Sequence, residues 1–527
     1  MSSSDALAAL IISVIAIFII SVPPVRRFFK EAFLTSDRDR RERKLLEFEP
    51  ENYANPGSAS SARLADDKML KKAGLFKGKG WRFGYSKSGR LLRYDGPGHM
   101  LLVAPPRSGK AVSVLVGMLL EKRRGSCIII DPKGELCAIT AHSAKAFSDV
   151  VIINPFGPLP DAPKAFKGLR SVGFNPLDAL DPNSISFGGD LDDLADGIVL
   201  HQSSGDSSFF DDTARQLVST VMLVVVRYYP AAEKNLVTVR KIIAGDVFAF
   251  ARKWIGSDDE LVCEGLNDYA QEGAEKRKSL GDCISTARTQ TDFIGKEGII
   301  NSLKRSEFRF ASVKRKPMTV YIVLPLDKLA SCGKWFRLCM AAMLSALLKA
   351  GPGGLPVLCI CDEFFSIGPL KTFQTAMSQA AGAAKLQLLP VLQDLAQLET
   401  MYPNQGWRTF LSCAAVKIFF GSHGDKQTSE YVSEMGGERE IIVQSVSFHR
   451  QTPRSELQGS NSASTTWQRL IQPHEIRRMD LKTEMIAFVE GVPGPVFGTR
   501  RAYFDCREFA GKYRPNPYFK AKGFFRR

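Results

Sequence analysis

The feature that most constrains this chain is a nine-residue stretch, APPRSGKAV, spanning Ala104 to Val112. A short apolar run, MLLVA (Met100 to Ala104), leads into it, and an apolar run with helical spacing, Val112 to Leu120, follows it. A strand that turns sharply into a helix presents backbone N–H groups at the helix start. Anions bind there when a Gly admits close approach and a Lys supplies charge. Ala104, Pro105, Pro106, Arg107, Ser108, Gly109, Lys110, Ala111 and Val112 therefore form a candidate phosphate-binding loop, with Lys110 as the residue that reaches the terminal phosphates. Two positions depart from the general pattern GxxxxGK[ST]. Ala104 stands where the first Gly is usual, which is tolerable if the backbone stays in an ordinary region. Ala111 stands where a hydroxyl normally ligates magnesium, and Ser113 is no simple replacement, since two residues along a helix turn the side chain by roughly 200°. Taken alone, the loop also reads as a Gly-containing strand-to-helix turn.

A hydrolysing site needs more than a loop. It requires a carboxylate at a neighbouring strand end to hold the metal's water shell, and a base for the attacking water. The stretch LPVLCICDEFFSIG supplies both: Leu355 to Cys361 is a continuous apolar run suited to a strand buried on both faces, and it ends in Asp362 and Glu363. By position Asp362 would hold magnesium and Glu363 would orient or deprotonate water. A third apolar run, within LQLLPVLQDLAQL (Leu386 to Leu398), stops at Gln393, where a polar side chain can bond the terminal phosphate; a solvated loop Gln is the plain alternative. In IIIDPKGEL (Ile128 to Leu136), a short strand enters Asp131, Pro132 breaks the pairing and Gly134 permits a tight turn before a helix. If this strand lies beside the loop strand, Asp131, Lys133 and Glu135 reach the same carboxyl edge; otherwise they are turn and surface charges.

At 527 residues and 44% hydrophobic, the chain suggests two or three lobes and is too long for a small binding module. The run ALAALIISVIAIFIISV (Ala6 to Val22) is uncharged and fits the roughly 17–25 residues that cross a bilayer as a helix. Asp5 precedes it and Arg26 and Arg27 follow it, the reverse of a cleaved signal, so the reading is an uncleaved anchor with a cytoplasmic body behind it. The ten cysteines contain no CxxC pair and read as reduced core thiols. The net charge of +16 would suggest nucleic acid, but much of the excess is terminal: Arg26 to Lys44 holds eight basic and four acidic residues, and Arg500 to Arg527 nine and two. Anionic lipid at one end and an exposed tail at the other account for it as well as DNA does. Ser445 to Thr466 is polar and aperiodic, and reads as an exposed excursion between edge strands.

The ordered set of stretches resembles the coupling proteins of bacterial type IV secretion and conjugation systems, the TraG-like branch of the ring-forming DNA-pump ATPases. GSASSARLADDKML, APPRSGKAV, IIIDPKGEL, FNPLD, FFDDTARQLV, TVYIVLPLDKL, CDEFFSIG, VLQDLAQLETMYP and AVKIFFGSHGDKQTSEYVSEMGG carry it, from about residue 57 to 437. The resemblance implies an α/β fold. It comprises a RecA-like P-loop ATPase domain with a mostly parallel sheet, an inserted all-α domain and one N-terminal transmembrane helix. On that reading residues 1–25 are the anchor and 26–95 a juxtamembrane linker entering the ATPase domain. Residues 96–177 form that domain's first part, 178–310 the helical insertion, 311–500 the second part with the Walker B strand, and 501–527 a basic tail. The resemblance implies ATP and Mg2+ as cofactors, with Lys110, Asp362, Glu363 and Gln393 catalytic and Asp362 the metal ligand. It further implies a homo-hexameric ring in the bacterial inner membrane. The partners would be single-stranded DNA with its relaxase, or effector proteins, together with other secretion components.

Many relatives carry two membrane helices where this chain offers one. Small residues often follow the loop Lys in this branch, so magnesium would be held through phosphates, water and Asp362. The arginine that a neighbouring subunit usually contributes has no assigned position, and Arg288 and Arg408 are guesses. Two other readings remain open: a nucleotide-binding docking platform that does not hydrolyse, and a membrane DNA translocase unconnected to secretion.

Overall fold

The computed structural model describes residues 61–122, 125–157, 166–200, 208–271, 274–304, 306–422, 424–449 and 458–518. The anchor expected at Ala6–Val22 and the last nine residues of the tail lie outside them. Among the described residues no helix is long and apolar enough to cross a membrane.

Eleven strands form one sheet in the compact unit made of residues 62–437 and 469–527. In chain order they are β1 (Trp81–Ser86), β2 (Leu91–Tyr94), β3 (His99–Val103), β4 (Ser126–Asp131), β5 (Asp149–Ile153), β6 (Met318–Val323), β7 (Val357–Cys361), β8 (Leu386–Leu392), β9 (Ala414–Phe419), and, after the ribbon strands β10 and β11, β12 (Glu484–Val489) and β13 (Val496–Thr499). Their spatial order is β2-β1-β13-β12-β9-β3-β8-β7-β4-β6-β5. From β9 to β5 every pairing is parallel, whereas β12, β13, β1 and β2 extend the sheet antiparallel. The protein is thus mixed α/β with a large, mostly parallel sheet.

The apolar runs explain why the parallel strands are central. In β3, Leu101 and Val103 enter one core while Met100 and Leu102 enter the other; in β7, Val357, Cys359 and Cys361 face the first and Leu358 and Ile360 the second. A strand with apolar side chains on both faces is stable only between two layers of helix. The crossovers supply those layers, since parallel neighbours cannot be joined by a hairpin. Helices Val116–Leu120, Glu135–Ala144, Lys334–Lys349 and Lys371–Ala383 serve β3–β4, β4–β5, β6–β7 and β7–β8 in turn.

Between β5 and β6 the described residues form helices and no strand, including Phe187–Ile198, Ser208–Tyr228, Leu236–Ala244, Val247–Trp254, Glu260–Ala270, Ala274–Gln290 and Glu297–Leu303. Arg337, 2% exposed in helix Lys334–Lys349, ties the end of the first of these to that helix and to the segment at Pro369. Its guanidinium donates to the carbonyls of Asp196 (2.5 Å), Val199 (3.4 Å) and Pro369.

The polar stretch from Ser445 lies largely in a separate two-stranded ribbon, β10 (Glu438–His449) with β11 (Gln458–Arg469). A strand pair held by backbone bonds needs no buried face, so the missing apolar alternation concealed it.

His99 at the head of β3 offers a test of this packing. It is 1% exposed; its Nδ1 accepts from the Leu388 N–H (3.0 Å) and its Nε2 donates to the Ala376 carbonyl (3.2 Å), which fixes the neutral tautomer. Burial lowers its pKa from 6.5 to about 4. The unfolded chain therefore takes up the proton first. The stabilisation is complete above pH 6.5 and is lost as pH falls toward 4, at up to about 1.4 kcal/mol per pH unit. Denaturant midpoints at pH 7 and pH 5 should differ more for wild type than for His99→Gln, by this one-proton component.

Candidate nucleotide-binding site

Because β3, β8, β7 and β4 run parallel, their carboxyl ends share one edge. Register decides how closely their last residues approach. Val103 pairs with Leu392, and the Ala104 N–H donates to the Leu392 carbonyl at 2.8 Å, which sets the loop beside Gln393. Cys361 pairs with Ile130, and the Asp362 N–H donates to the Ile130 carbonyl, so Asp362 stands next to Asp131. The chain leaving β3 passes over β8 and β7 to β4 and β5, then returns through β6, β7 and β8 to β9, and such a reversal of strand order opens a crevice at the carboxyl edge. The DPKGEL strand does not lie beside the loop strand, the condition set from sequence; it is three places away and adjoins the strand of Asp362, so Asp131 still reaches this edge. Strand order depends on crossovers that one local stretch does not encode.

The loop itself is strained in a functional pattern. Arg107 and Gly109 have φ of 61° and 80° and Lys110 is right-handed at φ −49°, ψ −50°, a left-to-right step that turns successive N–H groups toward a concavity. A Cβ on Gly109 would meet nothing within 4 Å, so that concavity is open, yet the positive φ disfavours any side chain. Ala104 is fully buried as the continuation of β3. Pro106 and Arg107 are exposed, Pro105 and Val112 half-buried, and Ala111 buried at the start of a π-helical turn, Ala111–Leu115. Ser108 is 1% exposed, with an unpartnered hydroxyl.

Lys110, Asp362, Glu363 and Gln393 meet at this edge. Lys110 Nζ lies 3.0 Å from Glu363 Oε2 and 3.4 Å from Asp362 Oδ1. Gln393 Nε2 donates to Glu363 Oε1 at 2.6 Å. Glu363 adopts φ 68°, ψ 57°, a left-handed conformation costly for a residue with a Cβ. Two bonds hold it there: its carbonyl accepts from the Ser366 N–H (2.9 Å) and from Ser366 Oγ (2.8 Å). For Lys110, burial alone would lower the pKa, but the two carboxylates outweigh it and raise it. For Glu363, burial alone would raise the pKa; Lys110 and the bond from Gln393 outweigh it and lower it. Both groups are charged at neutral pH.

Beside them, Asp131 is fully buried. Its Oδ2 accepts from the Cys137 N–H at 2.8 Å, its Oδ1 has no partner, and burial pushes its pKa up to about 8, with Asp362 and Glu135 adding to the rise. Glu135 is also raised by burial and by Asp362, and its Oε1 accepts from Asn516 Nδ2 at 2.5 Å. Tyr518 Oη donates to the Lys133 carbonyl at 2.7 Å, so residues near the end of the described chain fasten the DPKGEL turn.

The fit to a metal-bound nucleotide follows from these atoms. Asp362 Oδ1 is buried and accepts no hydrogen bond, and the ammonium of Lys110 stands where cationic charge is wanted. Among the described residues no group of three or more His, Cys, Asp or Glu is arranged to hold a metal. With Ala111 offering no hydroxyl, a divalent ion would have to complete its shell from phosphate and water.

Sequence reasoning missed Arg500. It follows β13, is 3% exposed, and its Nη1 donates to the Ser108 carbonyl (3.1 Å) and to Ser113 Oγ (3.0 Å) from 392 and 387 positions away. No motif spacing could have flagged it. Ser113 Oγ in turn donates to the Gly109 carbonyl at 2.8 Å, so this hydroxyl is turned back into the loop and away from the position that Ala111 leaves without one. Of the guessed arginines, Arg288 bonds the carbonyls of Ile243 (3.0 Å) and Gly245 (2.7 Å), and Arg408 lies over the Trp407 ring.

A phosphate-binding loop between parallel strands, faced by a strand-end carboxylate pair, defines the class: a P-loop nucleotide-binding α/β protein. Residues 52–522 match the family described as "Type IV secretory system Conjugative DNA transfer", and the chain belongs to it. It is similar to Protein VirD4 of Rhizobium radiobacter, 27% identical over 408 residues covering 75% of this chain and 55% of VirD4. It is also similar to the conjugal transfer protein TraG of Escherichia coli, 26% identical over 517 residues covering 87% and 78%. The chain thus spans little more than half the length of that VirD4 relative. Among solved structures, the unbound conjugative coupling protein TrwBΔN70 superposes with a TM-score of 0.61 at 17% identity, covering 84% of this chain and 95% of that one, so the fold is shared. TrwB has also been solved in complex with ADP and Mg2+, and that structure superposes with a TM-score of 0.60.

Proposed function

We propose that this protein is an ATP-hydrolysing coupling protein, which recruits DNA with its attached relaxase, or effector proteins, and drives them into a type IV secretion or conjugation channel. Anchorage in the inner membrane through Ala6–Val22 and assembly as a homo-hexameric ring are parts of the same reading. Membership of the family supports it, together with the ADP and Mg2+ bound by the TrwB structure. The observation that carries it is the convergence of Lys110, Asp362, Glu363 and Gln393, from three strand ends, within 3.4 Å contacts.

In this arrangement the loop N–H groups and Lys110 bind the phosphates, and Asp362 takes the magnesium side. Magnesium, when bound, neutralises charge developing on the transferred phosphoryl group. Lys110 now pairs with Glu363; drawn toward phosphate, it releases that carboxylate to orient water and accept its proton. Gln393 holds the other carboxylate oxygen and keeps Glu363 aimed at the crevice. Glu363 favours a hydrolase over a docking platform, since mere binding requires no carboxylate that opposes phosphate charge.

The test is the steady-state ATPase rate of the detergent-solubilised full chain in magnesium, with and without single-stranded DNA. Turnover that DNA raises supports the motor. Nucleotide bound without turnover, in a sample shown to contain rings, would instead assign a docking platform.

A further inference from the structure

We propose that Arg500 is a positioning residue for nucleotide binding: from behind the loop it fixes the peptide planes that aim the N–H groups of Gly109 and Lys110 at the phosphates. The inference rests on reading the loop as a nucleotide site.

In a trans peptide the C=O and the following N–H point in opposite directions, and the described chain contains no cis peptide. The Ser108 carbonyl is drawn back onto Arg500 Nη1, so the N–H of Gly109 must face the opposite way, into the concavity. The Gly109 carbonyl accepts from the Ser113 N–H and from Ser113 Oγ, both at 2.8 Å, so the N–H of Lys110 is turned likewise. Ser113 Oγ is itself held by Arg500 at 3.0 Å. One guanidinium therefore governs two consecutive donors.

Arg500 is held as firmly as it holds. Nη2 donates to the Leu481 carbonyl (2.6 Å), Nε to the Glu484 carbonyl (3.1 Å), and its backbone N–H to the Thr483 carbonyl (2.7 Å). The guanidinium lies over the Phe420 ring, 3.4 Å from its centroid. These anchors belong to the β12–β13 side of the sheet, so the loop is braced from the antiparallel extension and not only from its own helix. Among the described residues no carboxylate lies within ion-pair distance of Arg500; its pKa is lowered to about 9 by burial, opposed by Asp480. A buried cation with neutral acceptors directly behind an anion cradle adds favourable potential at the phosphates.

The experiment compares Arg500→Lys, Arg500→Met, Ser113→Ala and the Arg500→Lys/Ser113→Ala double variant in the full chain. It measures the Kd of a fluorescent ATP analogue, kcat and KM for ATP, and amide hydrogen exchange of residues 104–112 without nucleotide. Lysine retains the charge but cannot bond four acceptors in a plane, so Arg500→Lys should weaken the analogue on the order of 10-fold and Arg500→Met on the order of 100-fold. KM should rise more than kcat falls, and loop amides should exchange faster in both. Ser113→Ala should weaken binding several-fold, with a double-variant loss smaller than the product of the single losses, because both act on the same peptides. A Kd and loop exchange unchanged in Arg500→Lys and Ser113→Ala would overturn the proposal even if Arg500→Met fails to fold. If the wild type binds no nucleotide, the reading of the site falls. Loop exchange then still decides whether Arg500 braces the loop, and an unchanged rate removes that too.

Discussion

Glu363→Gln should reduce ATP turnover by about 10²–10⁴-fold while nucleotide stays bound, because the substitution keeps the shape of the side chain and removes the carboxylate proposed to take a proton from water. Glu363 is held as a carboxylate by Lys110 at 3.0 Å and aimed by Gln393 at 2.6 Å. Its left-handed backbone persists because Ser366 bonds its carbonyl twice, and neither bond involves the side chain that the substitution changes. The fold should therefore be unaffected, and the loss should lie in kcat with Kd within a few-fold of wild type. Single-turnover hydrolysis by the variant, with analogue binding measured in parallel, provides the check. Turnover within 10-fold of wild type would move water activation to another carboxylate of this edge, with Glu135 the first alternative.

Lys110→Met should act on binding instead. It removes the ammonium expected at the terminal phosphates, and a charged hydrogen bond of about 1.5–3 kcal/mol corresponds to roughly 10–100-fold in Kd. A second consequence appears without nucleotide. Lys110 is the cation between Asp362 and Glu363, whose side chains are 5% and 20% exposed. With that cation gone, burial, the largest influence on Glu363, is opposed by the Gln393 bond and the charge of Lys133, and the pKa should rise from the lowered position it has in wild type. A carboxyl raised in the folded state contributes stability at low pH and loses it as pH rises. The variant should therefore be less stable than wild type at pH 7.5, by on the order of 1–3 kcal/mol, and recover much of the difference near pH 5. Thermal midpoints at the two pH values test this; a deficit independent of pH would mean that the Lys110 stem, and not its charge, is what matters.

The residues that meet at the candidate site could be named from sequence because they lie in short contiguous signals. A Gly and Lys at a strand-to-helix turn, two carboxylates ending an apolar run and a Gln ending another are each local, and the order of the stretches tied them to one family. The β10–β11 ribbon was not legible, because the polar, aperiodic sequence of Ser445 to Thr466 reads as loop. Nor was the placement of DPKGEL beside the Walker B strand, since adjacency in a sheet follows from crossovers and not from local pattern.

By itself the sequence determined which residue types stand at the ends of the parallel strands, because apolar runs of only five to seven residues, bounded by turn signals, suit strands buried on both faces, and their first polar residues emerge at the edge. Tertiary structure alone decided which ends meet and what supports them. Register put Lys110 between Asp362 and Glu363, and strand order brought Asp131 next to Asp362. Closure of the antiparallel extension delivered Arg500 to the back of a loop 392 residues away, where neutral carbonyls and a ring face receive it. Hydrogen bonds of that reach arise from packing, and packing leaves no periodicity or spacing for a sequence to display.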